Sequence, residues 1–181
     1  MEWFVGGKLN ITENCLDRHL KSKSNKIAII WEPNNPKDEI IKITYKELHQ
    51  KVSTFSNVLK SHGVRKGDRI CLYMPMVPEL AIATLACARI GAVHSVVFAG
   101  FSAKALAERI NDAECNVLLT SDGQYRGKKQ LCLKNIADEA LLSCDSIKSC
   151  IVLKRTGEKI SMRLDRDFWW HEEIQKVNSF C

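Results

Sequence analysis

Residues 69–110 read RICLYMPMVPELAIATLACARIGAVHSVVFAGFSAKALAERI, and the reading of this stretch decides the fold. Arg69 to Met74 is a short apolar run entered through the turn-forming Lys66-Gly67-Asp68. Val93 to Phe98 is a second, β-branched run of similar length, so both read as buried strands. Between them Leu80 to Ile90 is apolar almost all round, with Pro78 suited to the first turn of a helix and Gly91 placed to end it. Such a helix is covered on most sides. Strand, crossover helix and strand make a βαβ unit, which sets the strands parallel with a right-handed crossover. Ligands in such sheets collect beyond the carboxyl ends of the strands, here Met74 to Pro78 and Phe98 to Ser102.

The same alternation extends in both directions. Upstream, Trp3, Phe4 and Val5 read as a small apolar plug, Asn14 as a helix cap, and Cys15 to about Lys21 as a short helix. Lys26 to Trp31 and Ile40 to Tyr45 read as a hairpin of two strands around a proline-containing turn. Thr44 with Glu47 three residues on is a capping-box pattern, followed by Leu48, Val52, Phe55 and Leu59 at helical spacing up to Gly63. Downstream, Ser102 caps a helix through Asn111, and Val117 to Thr120 is a strand. Ser121 to Lys129 is a polar loop, Leu131 to Leu142 a helix and Cys150 to Lys154 a strand. Asp167 to His171 opens a last short helix. The expected architecture is α/β, doubly wound, with a largely parallel sheet and flanking helices.

The composition excludes several classes of function. With 45% apolar and 27% charged residues, the 181-residue chain is neither disordered nor membrane-buried in character, and its longest apolar run falls far short of the roughly 20 residues of a membrane span. The start of the sequence has no signal or transit pattern, which predicts a cytoplasmic location and no membrane partner. The eight cysteines form no Cys-x-x-Cys pair and mostly sit in apolar runs, as buried free thiols do, so no metal site is predicted. The net charge of +6 is spread out, and no basic stripe interleaved with aromatics suggests nucleic acid.

No nucleophile, base and carboxylate set appears. His94 lies in an apolar strand and reads as a core histidine; His19, His49 and His62 have no ligand or nucleophile spaced with them. Trp169 and Trp170, beside His171, read as anchors of the terminal helix. Neither G-x-G-x-x-G nor G-x-x-x-x-G-K-[ST] occurs. What remains is Phe98-Ala99-Gly100-Phe101 after one strand and Tyr125-Arg126-Gly127-Lys128-Lys129 after the next, on the same sheet edge. An aromatic surface beside a bare glycine admits a flat ring, and clustered cations suit phosphate groups. The same residue types also make an ordinary solvated charged loop, and composition alone does not separate the two.

Longer segments carry a resemblance. Asn14 to His19, Ile29 to Glu32, Ile43 to Leu48, Lys66 to Arg69, Tyr73 to Glu79, Leu85 to Ser95, Val97 to Ser102 and Asp167 to His171 closely resemble the acetyl-coenzyme A synthetases of the acyl-adenylate-forming, or AMP-binding, superfamily. The likeness spans essentially the whole chain, and Tyr125-Arg126-Gly127 is more similar to the eukaryotic cytosolic form. It implies an acetate–CoA ligase in which acetate and MgATP give acetyl-adenylate and pyrophosphate, after which coenzyme A displaces AMP. It implies coenzyme A contacts at Phe98, Ala99, Gly100, Arg126, Gly127, Lys128 and Lys129. Lys129 departs from the family's frequent arginine, and Ala99 from its frequent glycine. Lysine keeps the charge but not the bidentate geometry.

The resemblance further implies that residues 1–24 are a lead-in with a short helix and residues 25–181 the first part of a large amino-terminal α/β domain. The family's ATP, acetate and magnesium residues and its adenylation lysine have no counterpart here, so no catalytic residue is assigned and the isolated chain is expected not to turn over. Two alternatives stand beside this reading. One is a non-catalytic α/β interaction module with a basic loop; the other is a ligase for a related short-chain acyl group such as propionyl.

Overall fold

The computed structural model describes residues 4–181. Trp3 of the expected plug lies outside the described residues, while Phe4 and Val5 are 89% and 77% exposed and stand at the surface instead of filling a core. A π-helical turn, Glu13–Asp17, leads into α1 (Arg18–Lys23), one turn later than expected. Asn14 is not its cap: it lies within the turn, where its side-chain oxygen accepts from Arg18 at 3.3 Å.

β1 (Ile27–Trp31) and β2 (Ile41–Thr44) form the antiparallel hairpin read from the sequence, with Trp31 opposite Ile41. α2 (Tyr45–Ser61) then starts at the capping box, where the Glu47 N–H donates to Thr44 Oγ1 at 3.2 Å and the Thr44 N–H to Glu47 Oε2 at 2.7 Å. This arrangement satisfies donors that a helix start leaves orphaned. Leu48, Val52, Phe55 and Leu59 are all buried, as their spacing requires.

The remaining elements follow in order. They are β3 (Arg69–Leu72), α3 (Pro78–Ile90), β4 (Val93–Val96), α4 (Ala103–Asp112) and β5 (Val117–Ser121). Next come β6 (Gln124–Arg126), β7 (Lys129–Leu131), α5 (Leu133–Leu141), β8 (Ser149–Leu153), β9 (Asp167–Trp169) and α6 (Trp170–Glu173). α3 has Pro78 in its first turn and closes on Gly91 at φ 74°, a conformation that costs glycine nothing. No residue of α3 is fully exposed, so it is covered on most sides.

Five parallel strands make the main sheet in the order β4-β3-β5-β8-β9. Side chains alternate across it. Ile70, Leu72, Val117, Leu119 and Ile151 join α2 and α3 in one core, while Cys71, Tyr73, Leu118, Cys150 and Val152 join α4 and α5 in the other. From β3 the chain steps outward to β4, then returns across β3 to β5. Right-handed crossovers in opposite directions put α3 and α4 on opposite faces, which makes the fold doubly wound. The order reverses beside β3, and the crevice at such a reversal is where loops converge on ligands.

A buried ionic cluster fastens α5 to β9. Lys134 Nζ lies 2.7 Å from both Asp138 carboxylate oxygens and 2.8 Å from Asp167 Oδ2, and Arg166 Nε lies 2.6 Å from Asp167 Oδ1.

Four further expectations need correction. β4 is the sheet edge, with Val93 and Val96 more than half exposed, so it is not a buried strand. His94 is accordingly half-buried on that edge and not a core histidine. Ser121 to Lys129 is not a loop throughout: β6 and β7 pair as a hairpin with Gly127 and Lys128 at its tip. Asp167 to Trp169 pairs with β8 as a fifth strand before the short helix begins at Trp170. The edge position of β4 and the pairing of β9 with β8 are set by strands distant in sequence, which local pattern does not carry.

Candidate functional site

The turns after β3, β4, β5 and β8 meet at the carboxyl edge of the sheet. After β4, Gly100 and Phe101 both donate backbone N–H groups to the Phe98 carbonyl, at 2.8 and 3.1 Å, which folds the chain tightly. The buried Tyr73 hydroxyl donates to the Phe101 carbonyl at 2.8 Å and pins this turn to the core. Burial pushes the Tyr73 hydroxyl up to about 12, so it keeps the proton it donates. Phe98 is 59% exposed, and its ring lies over Gly100, where a Cβ would come within 2.8 Å of the ring. A side chain at this position would displace that ring. The Ala99 side chain is buried in the α4 and α5 core, so its backbone is what faces the edge.

After β5, Gly127 opens a two-residue hairpin turn at φ 60°, the sign that the favoured primed turns require in their first position. Arg126 pairs with Lys129 across the hairpin, which puts both cations on one face. Tyr125 pairs with Gln130 on the other face. Gln124, two residues before Arg126, shares the Arg126 face and donates its side-chain amide to the Ala99 carbonyl.

The two stretches singled out in the sequence are therefore brought together. The space over Gly100 that a Cβ would occupy lies 3.8 Å from an Arg126 guanidinium nitrogen. Gly127 and Lys128 belong elsewhere: with Tyr125 and Arg155 they line a separate groove of ≈ 730 Å³ against Asn34, Asn35 and Asp38. The Asn34 side-chain amide donates to the Gly127 carbonyl at 2.9 Å and closes that groove at the hairpin tip. A further groove of ≈ 540 Å³ lies between α2 and α6, over Phe55 and Trp170, whose rings stack at 3.6 Å. Glu47, Lys51 and Glu79 mix charges of both signs there, and no phosphate-binding cluster forms.

Several residues escaped the sequence reading. Gln124 and Asn34 tie loops together, and the buried Asp122 accepts backbone N–H groups from the turn that carries Arg155. The Asp-Gly pair at the end of β5 was the one local signal of that turn chemistry. The histidines take structural partners: His49 lies 3.2 Å from Asp17, and His62 lies 3.0 Å from Glu173.

Chemically, this edge presents an exposed aromatic ring, a bare glycine backbone and two like-facing cations. Those residue types match the chemistry of a phosphorylated aromatic ligand and include no nucleophile. Burial raises the Cys87 and Cys150 thiols to about 12 and Cys115 to about 11, which leaves them protonated and inert. No group of three or more His, Cys, Asp or Glu side chains among the described residues is arranged to hold a metal ion. No helix among the described residues is long and apolar enough to cross a membrane.

The acetyl-coenzyme A synthetase of Desulfatibacillum aliphaticivorans is 55% identical over 181 residues, covering 100% of this chain and 28% of that protein. The enzyme of the same name from Saccharophagus degradans is 54% identical over 179 residues, covering 99% of this chain and 28% of that protein. The chain thus spans 28% of the length of these curated relatives. Among solved structures, acetoacetyl-CoA synthetase from Streptomyces lividans superposes with a TM-score of 0.86 at 26% identity, over 98% of this chain and 26% of that one. The sequence pattern of the AMP-binding enzymes matches residues 16–178, and the chain belongs to that family.

Proposed function

We propose that the chain is the amino-terminal part of an acetate–CoA ligase and that its carboxyl sheet edge takes the nucleotide end of coenzyme A. Residues 25–181 are then the first part of a larger α/β domain, with residues 1–24 as its lead-in. The observation that carries the proposal is the joining of the Phe98 to Gly100 turn to Arg126 and Lys129 through the Gln124 amide. Phe98 and the Ala99-Gly100 backbone offer a surface for the adenine. Arg126 and Lys129 offer fork and point charges for the ribose phosphate, with Gly127 and Lys128 at the hairpin tip.

Acetate and MgATP are the remaining substrates of the proposed reaction, and its place is the cytoplasm. It involves neither a membrane nor nucleic acid. Positioning and charge neutralisation around the transferred adenylyl group supply most of the rate in such chemistry, and no residue described here performs that task.

Calorimetric titration of coenzyme A into the 181-residue chain, run beside an assay of acetate-dependent pyrophosphate release, tests the proposal. Binding at one site with pyrophosphate release equal to the blank is expected. An absence of binding contradicts the coenzyme A subsite, and clear turnover contradicts the division of labour.

A further inference from the structure

We propose that Arg155 is a positioning residue for the anion-binding hairpin: clamped between the rings of Trp31 and Tyr125, on a turn held by the Asp122 carboxylate, it sets where Arg126 and Lys129 stand. For the identity of the hairpin's ligand this rests on the coenzyme A reading; for the clamp itself it does not.

The guanidinium carbon of Arg155 lies 5.0 Å from the Trp31 ring centroid and 5.5 Å from that of Tyr125. A planar cation between two aromatic faces is attracted by both and stacks on both. Trp31 is itself fixed, since its Nε1 donates to the Met76 carbonyl at 2.8 Å. The clamp thus joins the β1 hairpin, the bend after β3, the β6–β7 hairpin and the turn after β8.

Asp122 supplies the other anchor. Its side chain is wholly buried, and Oδ1 accepts the backbone N–H groups of Gly123 at 2.7 Å, Arg155 at 2.7 Å and Thr156 at 3.0 Å. Oδ2 accepts those of Thr156 at 3.1 Å and Gly157 at 2.7 Å. One carboxylate therefore holds both the entry to the hairpin and the turn that carries Arg155. The two segments touch closely: a Cβ on Gly123 would lie 2.7 Å from Thr156 Oγ1 and 3.0 Å from the Leu131 carbonyl oxygen.

Such support is needed because a hairpin of three-residue strands has little stability of its own. Tyr125 and Arg126 are successive strand residues and point to opposite faces. Fixing the Tyr125 ring on one face therefore fixes the strand and the face from which the Arg126 side chain departs. Gln124 and Asn34 hold the two ends of the hairpin, and Arg155 holds its middle.

The test uses Arg155→Lys, which keeps the charge and removes the planar stack. Amide hydrogen exchange across residues 124–131 should quicken by about five- to tenfold relative to the parent chain, with amides of β5 and β8 unchanged. Asp122→Asn should quicken the same hairpin amides. Unchanged exchange in the hairpin of both variants overturns the proposal. Coenzyme A affinity should fall in Arg155→Lys, yet fall no further when that change is added to Arg126→Ala with Lys129→Ala, because no cation of that face then remains to be positioned. Additive losses would mean that Arg155 meets the ligand directly and would overturn a positioning role. If the parent chain binds no coenzyme A, the ligand reading fails, and hydrogen exchange alone decides the clamp.

Discussion

The side-chain amide of Gln124 donates to the carbonyl oxygen of Ala99, so the hairpin after β5 and the turn after β4 form one unit. This contact sets the spacing between the Phe98 ring and the Arg126 guanidinium. Gln124→Ala should cost about 1 kcal/mol, the typical net value of one hydrogen bond, and lower coenzyme A affinity by roughly fivefold. Gln124→Glu should do worse, because it faces a carbonyl with a carboxylate. Titration calorimetry on both variants checks the order, and equal affinities in parent and Gln124→Glu would show that the spacing is set elsewhere.

The Lys134 ammonium shares Asp167 with Arg166 where no solvent reaches the lysine or the aspartate side chain. Lys134→Met leaves a buried carboxylate with one cation and should cost about 3–5 kcal/mol, read from the urea midpoint. By contrast, Lys176 pairs with Glu173 but is 61% exposed, and Lys176→Ala should leave the urea midpoint nearly unchanged. Similar losses in the two variants would mean that burial does not set the difference.

Acid should destabilise the fold through its paired carboxylates. The Arg89 guanidinium, at 2.9 and 3.0 Å, holds Asp17 below its usual 3.8, helped by His49. Burial alone would raise Asp167, but hydrogen bonds from Arg166 and Lys134 outweigh it and leave Asp167 lowered too. A carboxylate lowered in the folded state stabilises above its unfolded value and loses that contribution as pH falls through the folded value. The urea midpoint should stay flat between about pH 7 and pH 5 and drop below about pH 4. Asp17→Asn should make the drop shallower, and a midpoint that rises on acidification would refute this assignment.

Gly123 is confined by its neighbours and not by its backbone. A Cβ there would meet Thr156 Oγ1 at 2.7 Å and the Leu131 carbonyl at 3.0 Å, so Gly123→Ala should cost about 1–3 kcal/mol. Gly63→Ala meets no neighbour within 4 Å, and its cost should come from its φ of 80° alone, about 1–2 kcal/mol. Thermal unfolding of the pair checks this. Only the Gly123 variant should also lose coenzyme A affinity, and the same loss in Gly63→Ala would break the link between this packing and the site.

How much the sequence disclosed follows from the range of each interaction. The Thr44 and Glu47 cap, the Ser102 cap, Gly91 closing α3 and the buried stripe of α2 were legible because each is settled within a turn or two. Phe98 and Arg126 could be set on one edge because each follows a parallel strand. The edge position of Val93 and Val96 was not legible, since a β-branched run reads alike at the edge and in the middle of a sheet. β9 was hidden because its partner, β8, lies beyond a polar segment. The Asp122 carboxylate meets the backbone of Arg155, Thr156 and Gly157 only after β8 has paired with β5, so the local Asp-Gly signal of a turn did not reveal these partners.

The most direct measurement compares coenzyme A with dephospho-coenzyme A on the parent chain and on Arg126→Ala. If the face shared by Arg126 and Lys129 receives the ribose phosphate, losing the guanidinium should weaken coenzyme A by about tenfold or more while changing dephospho-coenzyme A by less than about twofold. Equal weakening of the two ligands, or no weakening of either, would contradict the account.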